Sequence, residues 1–512
     1  MSEELGKYII ALDIGTTTLR CQIIDKNEQC IGSNFTKTPL IYPDQCAVEI
    51  EPDELLVSIT QCIKEAIKDA NVSKHQLESL AISTHRGTFI TWSKSTGEYF
   101  HNFITWKDIR AEAQAKELNN SWKMMILRAG CYLLYLMSNI AKFGIASNFK
   151  FTSGHVIPRL MWLARTNKKL QQALKENNVI FATLDTWLVY KLTGTDKYVT
   201  DMSNASATGM YDPFSHCWSF LLNYFNSPNI HLPSVLSNDD EFGMTVDTFF
   251  GVSIKIDAVM SDQSAAMYGL RSFNEGDLKL TLGTGGFLNL NLGKQIRMTA
   301  PEVYPLVGWD QLSNQQCPKH AIYLAEIGCS EVGSLIESML TRGIISSLSE
   351  LDVISPDGRN GLECSLVSPT VGVETFQNNS NSNCTKEDII RSVLESIVFR
   401  LFHVYQLTNG SFLLNRAPLQ CLRLNGGVAK NDFICQSLAD LLGFTIRRIK
   451  GEMSTLGVAY MAGIKCGFWS SYEEICKQPR CEDVFTPTKD DDKFRILKAK
   501  FEVWKSHMGD KD

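Results

Sequence analysis

The chain has no CxxC pair, and its 15 cysteines are scattered and odd in number. Neither a zinc ribbon nor a complete disulfide framework organises it, so a reducing cytoplasmic compartment is expected. A basic surplus is also missing. Lys and Arg number 50 against 56 Asp and Glu, for a net charge of -6 and a pI near 5.9. That balance argues against nucleic acid as a partner while leaving room for a local basic cleft. The opening MSEELGK is polar and acidic, unlike a secretory leader. Long uncharged apolar runs are lacking too. Residues 124–146 come nearest, but they carry Arg128 and Lys142 and are broken by Gly130 and Asn139. They read as one or two buried or amphipathic helices, not as a membrane span.

What is present is an ordinary globular composition, 44% hydrophobic and 21% charged, in 512 residues. That length allows roughly two to four domains. The stretch that organises the chain is residues 8–25, YIIALDIGTTTLRCQIID. It reads as a buried strand ending in Asp13, a tight turn at Ile14-Gly15-Thr16-Thr17-Thr18, and a returning strand. Asp13 suits a hydrated divalent cation, and Gly15 permits close approach of a ligand to the backbone. Thr16, Thr17 and Thr18 offer donors to phosphate oxygens, and Arg20 adds positive charge. The plainer alternative is a hairpin turn capped by Asp13.

Downstream, residues 55–67 space their apolar positions for a helix, and Leu80-Ala81-Ile82-Ser83 reads as a strand delivering Thr84-His85-Arg86-Gly87 to its end. A hairpin over 88–106 follows, ending in Trp106-Lys107-Asp108. Residues 199–206, VTDMSNAS, read as a small polar loop. Near residue 252 the pattern restarts: strand 258–260, the junction Ser261-Asp262-Gln263, a small-residue helix, then two strands flanking Gly283-Thr284-Gly285. The second hairpin echoes the first, which predicts a duplicated α/β architecture divided into residues 1–252 and 253–512. Residues 351–383 read as a loop, and Gly426-Gly427 end a further strand ahead of a helix.

Two Gly/Thr turns in separate halves and a late Gly-Gly turn each present backbone N–H groups to phosphate oxygens. Together they suit a nucleotide lying between two domains. Asp262, at a strand end, is either an N-cap or a base that takes a proton from an attacking hydroxyl. Arg86, Trp106 and Asp108 form a candidate pocket with one aromatic wall, sized for a compact polyhydroxylated substrate.

These segments resemble the FGGY carbohydrate kinases, and within them the glycerol kinase branch, above all the divergent glycerol kinase-like paralogues of animals. LDIGTTTLR is similar to the family's first phosphate motif, STHRGTFITWSKSTGEYFHNFITWKDIR to its substrate-side hairpin, and SDQSAAMYG to its catalytic segment. LTLGTGGFL resembles the second phosphate motif, and LRLNGGVAKNDFICQSLADLLG with STLGVAYMAG the adenosine side. The resemblance covers nearly the whole chain in family order. It implies two actin-like (ribonuclease H-like) ATPase domains closing on ATP, Mg2+ and a small polyol. A homodimer is allowed, and membrane or nucleic-acid partners are not expected. Asp13 and Asp262 would surround the metal, with Asp262 as base. Thr16, Thr17, Thr18, Arg20, Gly283 and Thr284 would contact phosphates. Gly333, Gly427 and Asn431 would line the nucleotide, and Arg86, Trp106, Asp262 and Gln263 would face the substrate.

Three departures bear on the acceptor. Glycerol kinases carry Asn-Gln-Arg-Glu where this chain has Thr84-His85-Arg86-Gly87. Losing that Glu removes a charged acceptor worth roughly 1.5–3 kcal/mol, or about 10- to 150-fold in affinity. The family's substrate-contacting Tyr is Phe151 or absent, and the loop after Val367 is shortened into an Asn/Ser stretch ending at Asn383. The reading is an ATP-dependent kinase for glycerol or a related polyol. The alternatives are a nucleotide-binding regulatory protein of the same fold and a kinase for a larger sugar.

Overall fold

The computed structural model describes residues 6–225, 227–238, 240–283, 285–296, 303–310, 321–329, 332–354, 385–412 and 421–506. The expected phosphate contact Thr284 and the shortened stretch 367–383 lie outside the described residues. Two sheets carry the chain. The first has five strands in the order Ile256–Ser261, Leu77–Thr84, Tyr8–Ile14, Thr18–Ile24, Cys30–Lys37. Its first three strands run parallel and the remaining pairs are antiparallel. The second repeats that order as Thr445–Ile449, Cys421–Asn425, Leu278–Leu282, Gly286–Gly293, Ala321–Cys329, with Glu482–Phe485 and Tyr304–Asp310 added at its edges. Here too the parallel pairs come first and the hairpin follows. The duplication expected from the two Gly/Thr hairpins is therefore a duplication of whole sheets.

The strand Tyr8–Ile14 is apolar almost throughout because both its faces are covered. Side chains alternate across a strand, so Ile10, Leu12 and Ile14 join a core with Leu55, Ile59 and Ile63 of helix Pro52–Ala70. Ile9 and Ala11 face a second core with Ala265, Val458, Ala459 and Ala462. That second core brings helix Met453–Lys465 onto the first sheet, against helix Asp262–Gly269. Glycine is required at this crossing. A Cβ on Gly457 would lie 1.8 Å from the Ala265 carbonyl oxygen, and one on Gly269 would lie 1.9 Å from that of Met453.

The expected division at residue 252 falls before the strand Ile256–Ser261, which pairs with Leu77–Thr84 of the first sheet. The chain reaches the second sheet only after Ser261, and Met453–Lys465 later returns to the first.

A smaller antiparallel sheet pairs Phe89–Ser93 with Val179–Thr183 and places Phe103–Ile104 beside Phe89. The expected hairpin over 88–106 is present: Trp92 bridges Tyr99, Phe89 pairs with Ile104, and Ser93 N and Phe100 N donate to Glu98 O and Thr91 O. Residues 199–206 differ from the loop expected of them. They form strand Val199–Asp201 and a short helix, Met202–Ser206, all of it buried. Asp201 accepts from the Ser203 and Asn204 backbone N–H groups, the Ser203 hydroxyl and the Asn204 amide. The polar groups satisfy one another, so local polarity was no sign of solvent.

Candidate active site

Both Gly/Thr turns open on one cleft. The first is drawn tight by Gly15 N–H donating to Thr18 O at 3.0 Å, and Thr38 braces it by donating its hydroxyl to Gly15 O at 2.9 Å. In the second, Gly283 N–H donates to Gly285 O at 3.0 Å. Between them lies a cavity of about 320 Å³ lined by Thr16, Thr17, Arg86, Gly87, Trp106, Lys107, Gly154, His155, Ala207, Asp262, Gln263, Thr281, Gly283, Gly285, Phe287, Leu306 and Glu326.

Asp262 is positioned from behind. Ser261, not Asp262, is the N-cap residue of helix Asp262–Gly269. Its backbone N–H donates to Ser203 Oγ at 2.7 Å, and that hydroxyl donates in turn to Asp201. The buried polar knot at 201–204 thereby sets where the helix begins and Asp262 emerges. Asp262 Oδ1 accepts from Gln263 N at 2.8 Å and lies 3.4 Å from Arg86 Nε. The other edge of Arg86 donates to Glu326 Oε1 at 2.8 Å, while Glu326 Oε2 accepts from the Asn289 amide. Arg86, from the first half of the chain, therefore bridges two carboxylates of the second, one after the edge strand of the first sheet and one within a strand of the second sheet.

Gln263 is oriented by Lys279, which is fully buried and donates to Gln263 Oε1 at 2.7 Å. An ammonium only donates, so the Gln263 oxygen must face it and the amide NH2 turns toward Asp262. Burial pushes Lys279 down to about 7, with the nearby carboxylates of Glu326 and Asp262 opposing the shift. The apolar wall is made across the halves. Trp106 and Phe287 meet edge to face at 6.3 Å, and Arg86 lies 5.8 Å above the Phe287 ring. Trp106 Nε1–H donates to Thr16 Oγ1 at 2.8 Å, tying the aromatic wall to the first phosphate-type turn.

Asp13 stands near the end of strand Tyr8–Ile14, just before the first turn, and is not among the residues lining the cavity. Ser83 Oγ donates to it at 2.6 Å, yet burial pushes its carboxyl up to about 6, with the charge of Asp262 adding to the rise and Arg20 opposing it. Arg20, expected to contact phosphate, is not among the residues lining the cavity. It shares a strand face with Gln22, and both are covered by the start of helix Met453–Lys465. Arg20 ion-pairs with Glu452 and Gln22 accepts from Thr455. Thr18 is also absent from the cavity wall.

Gly427 and Gly333 flank the second turn on either side. Gly427 follows Gly426, whose Cβ would lie 2.3 Å from Leu282 O at a φ of +107°. Gly333 opens helix Val332–Thr341, after the strand that pairs with Gly286. Asn431 caps helix Asp432–Leu442, accepting from Ile434 N, and donates its amide to Leu351 O at 3.0 Å.

Asp108 does not join the pocket. It is buried against Arg110, which also pairs with Glu49. Phe151 is buried among Phe149, His155 and Phe225 and does not line the cavity. His85 is structural. Ile14 O can only accept, so Nδ1 carries the proton and Nε2 accepts from the Thr88 hydroxyl at 2.8 Å.

Sequence reasoning missed Glu326, Lys279 and Arg159. The first two left a signal, since each is a lone charge inside an apolar strand, AIYLAEIGC and LKLTL. Arg159 is fully buried and donates to the carbonyls of Thr105 and Gly154 at 2.6 Å and of Gly87 at 2.7 Å. It binds together three segments of the cavity wall.

Two sheets of this order, with paired Gly/Thr turns facing a carboxylate across a cleft, define a phosphotransferase of the actin-like ATPase architecture. Residues 8–269 match the N-terminal domain of the FGGY family of carbohydrate kinases, and residues 355–466 match its C-terminal domain. The chain belongs to that family. It is 36% identical over 493 residues to human glycerol kinase 5, covering 94% of this chain and 92% of the relative. It is 29% identical over 513 residues to the glycerol kinase of Pseudothermotoga lettingae, covering 98% and 97%. Among solved structures, Plasmodium falciparum glycerol kinase with ADP superposes with a TM-score of 0.81 at 22% identity, over 98% of each chain. Xylulose kinase from Lactobacillus acidophilus gives 0.75 at 18%, over 98% of this chain and 97% of the other.

Proposed function

We propose that this carbohydrate kinase transfers the γ-phosphoryl group of ATP to a primary hydroxyl of glycerol or a closely related small polyol, with Asp262 as general base. The observation that carries the reading is the convergence of both hairpin turns, Asp262, Gln263, Arg86 and Trp106 on one cavity. The turns offer N–H and hydroxyl donors to the phosphates, Thr16 and Thr17 from the first sheet and Gly283 from the second. Trp106 and Phe287 provide a wall for the carbon chain of the acceptor. Arg86 and the Gln263 amide donate to its hydroxyls, and Asp262 accepts the proton of the hydroxyl that attacks.

Phosphoryl transfer is mostly positioning and charge stabilisation, so a carboxylate held beside Arg86 is an adequate base. The Asp13 carboxylate, costly to ionise with Arg20 as its cationic neighbour, suits a hydrated divalent cation. Bound there, Mg2+ would neutralise charge on the phosphates. Asp13 would hold it through its hydration shell and Asp262 would complete the acidic side.

Gly87 favours a second acceptor class. It offers no charged acceptor, its φ is +70°, and its carbonyl is engaged by Arg159. A pentulose is the acceptor class so allowed. The test is transfer from Mg-ATP across glycerol, tetritols and pentuloses, with Asp262→Asn as control. Turnover on one acceptor should fall by about 10²–10⁴ in the variant. ATP binding without acceptor-dependent turnover would overturn the kinase reading in favour of a nucleotide-binding regulatory protein.

A further inference from the structure

Helix Trp122–Ser138 is apolar on nearly every side, yet Met124 is its single fully buried residue. It turns back at Asn139, in the left-handed region at φ 52°, into helix Ala141–Asn148. The far end of this hairpin is uncovered. Met137 is 85% exposed, Leu136 62%, Leu133 60% and Ile140 51%. A helix apolar all round is ordinarily enclosed by something. No helix among the described residues is long and apolar enough to cross a membrane. At 17 residues this one spans about 25 Å, short of a bilayer core.

The charges say what covers the hairpin. In a chain of net charge -6, residues 118–175 contain no Asp or Glu and nine Lys or Arg, of which Arg159 is buried and Arg165 and Lys169 pair with Glu117 and Glu98 outside that stretch. Lys123 donates to Tyr224 O at 2.7 Å, and Arg128 donates to Phe149 O at 2.8 Å. Among the described residues neither pairs with a carboxylate. Lys142, nearest the turn, is neutralised by Asp212 at 2.5 Å. The apolar turn and the unneutralised cations are thus separated, Lys123 lying about 20 Å along the helix from Met137. A second copy meeting this patch about a two-fold axis would set Lys123 and Arg128 against like charges. An anionic headgroup layer answers them directly.

We propose that this hairpin is a lipid-contacting device. Its apolar turn lies in the interfacial layer of a bilayer bearing anionic lipid, with Lys123 and Arg128 beside the headgroups. Phe149, at the hairpin's base, packs on His155 of the cavity wall, so the surface adjoins the acceptor side of the cleft.

The test is flotation of the full chain with phosphatidylcholine vesicles, with and without phosphatidylserine. A Leu133→Glu/Met137→Glu variant is the comparison, both positions being exposed and outside the site. The chain should float with the anionic vesicles, less so in added salt. The variant's partitioning should fall about tenfold or more, with its melting temperature and vesicle-free turnover unchanged. Absence of flotation, or a variant that floats as the parent does, overturns the proposal. A parent that is dimeric by light scattering and a variant that is monomeric would also overturn it, assigning the patch to a second copy.

Discussion

Replacing Asp13 by Asn tests whether the first hairpin stores a cost that only a cation relieves. The Asp13 carboxyl is raised from 3.8 to about 6, chiefly by burial, while the Ser83 hydroxyl bond opposes the rise. Below 3.8 the carboxyl is protonated in both folded and unfolded chains and costs nothing. Between 3.8 and about 6 the folded chain holds the extra proton, so stability falls as pH rises through that window. Above it, the ionised carboxylate costs the folded state roughly 3 kcal/mol. Asp13 is only partly sheltered and the Asn amide must find an acceptor, so the net gain expected for Asp13→Asn is about 1–2 kcal/mol. For a domain of this size that corresponds to a rise in melting temperature of about 2–8 °C.

The assay is thermal unfolding of both proteins in EDTA at about pH 4 and about pH 8, then at the higher pH with Mg-ATP. The variant should melt higher than the parent at the higher pH only. Mg-ATP should raise the parent's melting temperature and close the gap, while the variant loses turnover. A metal-free variant that melts below the parent near neutral pH, or a gap independent of pH, would refute the argument.

Arg159→Met should lower the unfolding free energy by several kcal/mol, because it strands buried carbonyls of Thr105, Gly87 and Gly154 at about 1–3 kcal/mol each. An unchanged denaturation midpoint would contradict this. Lys279→Met addresses a buried ammonium depressed from 10.5 to about 7. Between those values the unfolded chain holds a proton that the folded chain has lost, so parent stability should rise with pH there. Urea midpoints of the Met variant should lack that part of the rise, and parallel profiles would refute the shift. Gly457→Leu should cost on the order of 3 kcal/mol or more, since even its Cβ meets the Ala265 carbonyl at 1.8 Å. A variant that folds with the parent's midpoint would show that the helix crossing is looser than described.

How much of this was legible follows from what each feature depends on. Both hairpins were readable because alternation, a tight Gly/Thr turn and a terminal carboxylate are local. The α/β class and the repetition followed from meeting that pattern twice. Asp262, Gln263, Arg86 and Trp106 were accessible one by one, each standing at the end of a local element. Their company was not. Glu326 reaches Arg86 across 240 positions of chain, a pairing that only the facing of two sheets creates. Arg20 sat in a phosphate-like motif, but its partner was decided by helix Met453–Lys465 returning to cover that strand face. The 199–206 segment looked like a solvent-facing loop because its composition is polar, whereas Asp201, Ser203 and Asn204 satisfy one another in the interior. The place of strand Ile256–Ser261 was hidden for the same reason, since it is set by pairing with a strand far behind it. By itself the sequence determined the elements, their order and the chemistry at their ends. Tertiary structure alone decided which ends meet, because burial, hydrogen-bond partners and pKa are set by neighbours that the chain brings back from hundreds of residues away.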